Sequence, residues 1–139
     1  MVDPNPQVAG KGLELLKSAG IDVQVSQDDC GAGDLNAGFC QRVVGGRPLV
    51  RLKLAATLDG RTAANDGTSQ WITGEEARAD VHQLRASSCA LVTGIGTVRE
   101  DDPRLNARID RQVVQPLRVV LDGNGQLDPE ARLFSEPGD

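Results

Sequence analysis

The chain has 139 residues, 39% of them hydrophobic and 25% charged, with a formal net charge of −5. That size and balance suit one packed domain rather than a disordered chain. They argue against non-specific nucleic-acid binding, which needs clustered Lys and Arg, and leave room only for a local basic pocket that holds a small phosphate. No run approaches the roughly 18 apolar residues of a membrane span, and "MVDPNPQVAG" has neither the basic start nor the apolar run of a secretory leader. The expected compartment is therefore the cytoplasm.

In chain order, "DPNP" at 3–6 signals a turn and a helix start. A helix is expected from Pro6 to Ala19, with Val8, Leu15, Leu16 and Ala19 on one face and Gly20 as its left-handed terminator. "IDVQV" at 21–25 alternates as a half-buried strand does. The stretch 31–43 reads as a second short helix, with Leu35 and Phe39 four apart. "GGRP" at 45–48 is a break and a module boundary.

"LVRLKLAAT" at 49–57 reads as a strand, and "LDGRTA" and "ANDGTSQ" read as turn and loop. Thr73 and Glu76 have capping-box spacing, which places a helix over about 74–87 with Ala77, Val81 and Leu84 inward. "CALVTGIG" at 89–96 reads as a buried strand breaking into a Gly-rich loop. "REDDPRLNAR" is polar loop. "PLRVVLDGNG" at 116–125 is a strand closed by a turn. The remaining tail reads as loop with at most one short strand. This alternation predicts an α/β fold with a largely parallel sheet and ligands at the carboxyl ends of its strands, after residues 56, 93 and 122.

Aromatic residues are scarce: one Trp, two Phe and no Tyr. Trp71 is either a packing anchor or, in its polar loop between Ser69 and Thr73, a stacking surface beside a helix start that suits an anion. Arg85 and Arg108 are either solvated or a guanidinium clamp for phosphate. His82 lies off the expected inward face and reads as surface. "TGIGT" at 93–97 is a lone G-x-G, a tight turn as readily as a phosphate loop. Asp101 and Asp102 are turn formers or caps. Lys53, on an expected central strand, must pair, snorkel or face a cavity. Three cysteines, Cys30, Cys40 and Cys89, with one His and no C-x-x-C, suggest neither a disulfide framework nor a complete zinc site.

Taken together, "LDGRTA", "SQWIT", "LRA", "GIGTV" and "DDPRL" in this order resemble the reductase domain of the bifunctional riboflavin-biosynthesis deaminase/reductases. The stretch from "DPNPQVAGKGLELLKSAGIDVQV" to "LNAGF" resembles the end of that family's deaminase domain. The resemblance covers residues 3–125. It implies a cytidine-deaminase-like tail over 1–45 and the first part of a dihydrofolate-reductase-like domain over 46–139.

The implied reaction is NADPH-dependent reduction of the ribosyl chain of 5-amino-6-(5-phosphoribosylamino)uracil to its ribityl form. The resemblance assigns Ala55, Trp71, Thr97 and Asp101 to the cofactor. It assigns Ser69, Arg85, Leu105 and Arg108 to the phosphorylated pyrimidine substrate. Lys53 and Asp101 fall at positions that serve the chemical step. The family's zinc motif is absent from this sequence, as is its later Gly-rich acidic segment. The expectation is thus a piece spanning a domain junction, of weak activity alone, that forms a homo-oligomer when full length. An inactive piece and a stand-alone α/β phosphate- or nucleotide-binding module are the alternatives.

Overall fold

A computed structural model describes residues 1–26 and 31–135. Cys30 and the end of the tail lie outside the described residues. The chain divides into two compact units, Met1–Lys53 and Leu54–Asp139.

In the first unit, the Asp3 and Asn5 side chains accept backbone N–H groups two residues on, at 2.8 and 3.0 Å, and set the expected turn. Helix α1 spans Lys11–Ser18, five residues later than the expected start, because residues 6–10 form turns. Its end follows the expectation. Gly20 has φ +77°, its N–H donates to the Lys17 carbonyl, and the Ile21 N–H donates to the Leu16 carbonyl, a Schellman closure. Leu13 is half-buried, whereas Leu15 and Leu16 of the expected inward face are exposed.

Residues 21–25 do not form a strand, because a strand exists only with a hydrogen-bonded neighbour and none is present among the described residues of this unit. The second expected helix is two, α2 (Ala32–Leu35) and α3 (Ala37–Gly45), broken at Asn36. Leu35 and Phe39 both point to solvent. Gly46, at φ +68°, ends α3. None of the described residues in this unit is fully buried.

In the second unit, two Asp-Gly sequences make the same three-residue reversal. The Gly60 N–H reaches the Thr57 carbonyl and the Gly67 N–H reaches the Ala64 carbonyl, with φ +79° and +86° at the two glycines. Helix α4 (Glu75–Ala86) follows. Its N-cap is Gly74, with no side-chain cap bond, so Thr73 stands one place too early to close a capping box with Glu76. Its least exposed face is Arg78, Val81, His82, Arg85 and Ala86, not Ala77/Val81/Leu84.

Strand β1 (Ala90–Gly94) pairs in parallel with β2 (Leu117–Leu121), Ala90 opposite Leu117 and Gly94 opposite Leu121. Helix α5 (Ile95–Asp101) starts directly at the carboxyl end of β1, so "TGIGT" is strand end and helical turn rather than a Gly-rich loop. Residues 49–57 do not join the sheet, which has two strands; Val50, Leu52 and Leu54 are exposed. The tail folds as a 3-10 turn, Arg132–Phe134, instead of a strand.

The core is small. Val98, Ala131 and Leu133 are buried, with Ile95, Val120 and Leu127 packed against them. The described residues contain no helix long and apolar enough to cross a membrane.

Candidate functional site

The segment from Asp101 to Arg108 links most of the residues singled out above. It leaves α5 through Asp102, at φ +38°, whose carboxylate accepts the Arg132 N–H at 2.8 Å. Leu105 has φ +52°, a conformation that costs a branched residue about 1–2 kcal/mol. Its near-complete burial offsets that strain. Asn106 and Ala107 are buried beside it.

Backbone groups in this loop are satisfied by side chains. The Arg85 Nη1 donates to the Asn106 carbonyl at 3.1 Å. The Gln115 carboxamide grips Ala107 in both directions, accepting its N–H at 2.8 Å and donating to its carbonyl at 3.1 Å. The Arg108 N–H donates to His82 Nδ1 at 3.2 Å, and the Arg108 Nη1 donates to Asn106 Oδ1 at 2.6 Å.

Arg85, Leu105 and Arg108 are thus brought together around Asn106. Among the described residues no carboxylate pairs with either arginine; the ion pairs are Arg61–Asp59 and Arg78–Glu75. Half-buried Arg85 has its pKa lowered by desolvation and then by the neighbouring Arg108. The guanidinium nonetheless stays charged. Two cations without a carboxylate make a receptor for an anion, and their forked N–H donors match phosphate oxygens.

Ser69 meets the same segment at its start, its hydroxyl donating to Asp101 Oδ1 at 3.4 Å. Trp71, two residues on, is 70% exposed and is therefore no core anchor. Arg78 lies over its ring at 4.4 Å and donates to the Thr73 carbonyl at 2.6 Å. Thr97 is exposed in the first turn of α5. Ala55 is half-buried just after the unit boundary, and Lys53 ends the first unit as an exposed side chain.

Sequence reasoning missed His82 and Gln115. His82 is half-buried, not surface, and its pKa is lowered by burial, then by Arg108 and Arg85, with the Asn106 backbone opposing. Its position three residues before Arg85 on the same helical face was the available signal. Gln115 offered no local signal.

The RibD C-terminal domain family model matches residues 48–137. Riboflavin biosynthesis protein RibD of Haemophilus influenzae is 47% identical over 96% of this chain and 39% of that protein. The Escherichia coli protein of the same name is 46% identical over 100% of this chain and 41% of its own length. Among solved structures, RibD of Acinetobacter baumannii (form 1) superposes with a TM-score of 0.88 at 48% identity, covering 98% of this chain and 40% of that one. A diaminohydroxyphosphoribosylaminopyrimidine deaminase/5-amino-6-(5-phosphoribosylamino)uracil reductase from Thermotoga maritima gives 0.84 at 39% identity, over 98% of this chain and 38% of that one. The chain spans about two fifths of the length of the curated relatives it matches.

Proposed function

The chain belongs to the RibD C-terminal domain family, and on that premise we propose that it carries the substrate-phosphate and part of the cofactor site of a riboflavin-pathway reductase. The reaction is reduction of the ribosyl chain of 5-amino-6-(5-phosphoribosylamino)uracil to the ribityl form. In this reading residues 1–45 close a cytidine-deaminase-like domain and residues 46–139 belong to a dihydrofolate-reductase-like domain. The family match from residue 48 supports that division. The protein is read as cytoplasmic and, with its whole family architecture, as a homo-oligomer.

The observation that carries the proposal is the arginine pair on Asn106. Arg85 and Arg108 hold the phosphate, Ser69 adds a hydroxyl, and Leu105 shapes the loop between them. NADPH would lie against Trp71, with Ala55, Thr97 and Asp101 as further contacts; the exposed indole and the exposed Thr97 hydroxyl fit a nicotinamide nucleotide. When bound, the cofactor supplies the hydride. The chain's own residues orient the sugar by its phosphate, the source of most positional gain in such a site. Lys53 and Asp101 are the groups assigned to proton handling. Zinc belongs to the family's deaminase half.

Equilibrium binding of the ribosylaminouracil phosphate and of its phosphate-free nucleoside tests the reading. Charge-assisted hydrogen bonds of roughly 1.5–3 kcal/mol imply at least tenfold tighter binding of the phosphate ester. Equal affinity contradicts it.

A further inference from the structure

His82 is the one histidine of the chain. It sits on α4 one turn before Arg85, and its Nδ1 accepts the Arg108 N–H. Together with Gln115 on Ala107 and Arg85 on Asn106, it gives side-chain partners to the Asn106 carbonyl, both backbone groups of Ala107 and the Arg108 N–H. No helix or ladder fixes this loop, so its shape depends on those side chains.

We propose that His82 is a positioning residue for the anion site: by accepting the Arg108 N–H it fixes the turn that presents the Arg108 guanidinium beside Arg85. The proposal rests on the phosphate reading of the two arginines. An acceptor at Nδ1 requires the ring proton to be on Nε2 and the ring to be neutral. A protonated ring would set N–H against N–H and lose the bond. The charged groups acting on the ring are Arg108 from the loop and Arg85 from its own helix. Both favour the neutral form, as burial does; the Asn106 backbone alone opposes. A His that instead touched the anion directly would work better protonated. The two roles therefore carry opposite pH signs.

The test uses ribose 5-phosphate as ligand, with affinity by calorimetry and amide hydrogen exchange at Arg108. Removing the acceptor in His82→Leu is expected to weaken binding about tenfold, the order of one hydrogen bond. It should speed exchange at the Arg108 amide by a similar factor. His82→Asn places an oxygen near the position of Nδ1 and should restore both to within about threefold. The ratio of wild-type to His82→Asn affinity should fall as pH is lowered, the ligand's own titration cancelling in the ratio.

Unchanged binding and exchange in His82→Leu would overturn the proposal, as would failure of His82→Asn to rescue, or a ratio that rises on acidification. If the unaltered chain does not bind ribose 5-phosphate, the phosphate reading falls. The Arg108 exchange rates then decide the role of His82 by themselves.

Discussion

His82 feels the charge of two guanidinium groups, Arg108 and Arg85, and its titration reaches beyond ligand binding. Its folded pKa lies below the ordinary 6.5, so as pH falls the unfolded chain takes up the proton first. Its contribution to stability is complete above that ordinary value and is lost as pH drops through the window beneath it. Asp59 and Asp66 also have lowered values, held chiefly by the Thr57 and Thr68 hydroxyls, but they titrate below 3.8 and leave the histidine window clear. Denaturant unfolding at a series of pH values should show the wild type losing stability relative to His82→Asn as pH is lowered from neutral. Parallel curves would mean that the ring is not held neutral by its surroundings.

At the scale of elements, α4 depends on how it starts. Gly74 is its N-cap without a side-chain acceptor, at φ −66°, and a Cβ there would meet nothing within 4 Å. Gly74→Asp should therefore raise stability by a few tenths of a kcal/mol, read as a higher thermal midpoint. Thr73→Val should leave it unchanged. A loss in Thr73→Val would restore the capping box that the sequence suggested.

The same helix shows which features were legible. β1, β2, α4 and the Asp-Gly turns follow from local patterns, and they formed. The strands expected at 21–25 and 49–57 did not, because alternation supplies a strand's faces but not its partner. The inward face of α4 was misread for a related reason. Its neighbour is a polar loop, so the half-buried side chains are Arg78, His82 and Arg85 rather than Ala77 and Leu84. Arg85 and Arg108 were open on chemistry alone between a solvated face and a phosphate clamp; the family resemblance assigned them to the substrate and added Leu105. Their meeting around Asn106 depends on a loop conformation, with Leu105 at positive φ, that no periodicity encodes.

For the whole molecule, the two units differ in what holds them. Burial is concentrated in the second, around Val98, Ala131 and Leu133 beneath a two-stranded sheet. With so few buried side chains, each matters. Leu133→Ala should cost about 2–5 kcal/mol and abolish cooperative unfolding of residues 54–139, followed by denaturant titration. A cost under about 1 kcal/mol would mean that this cluster is not the core. The proposed anion site hangs on the same framework, since Asp101–Arg108 runs from α5 and is tied to the tail through Asp102 and Arg132.

The central claim is that Arg85 and Arg108 read the phosphate of the sugar substrate, apart from the cofactor contacts at Trp71. Its most direct test compares two affinities in Arg85→Ala: for the ribosylaminouracil phosphate, and for NADPH read from the fluorescence of the single Trp. Loss of a charged hydrogen-bonding group predicts a fall of about tenfold or more for the phosphate ester, with NADPH affinity little changed. An equal fall in both would contradict the account.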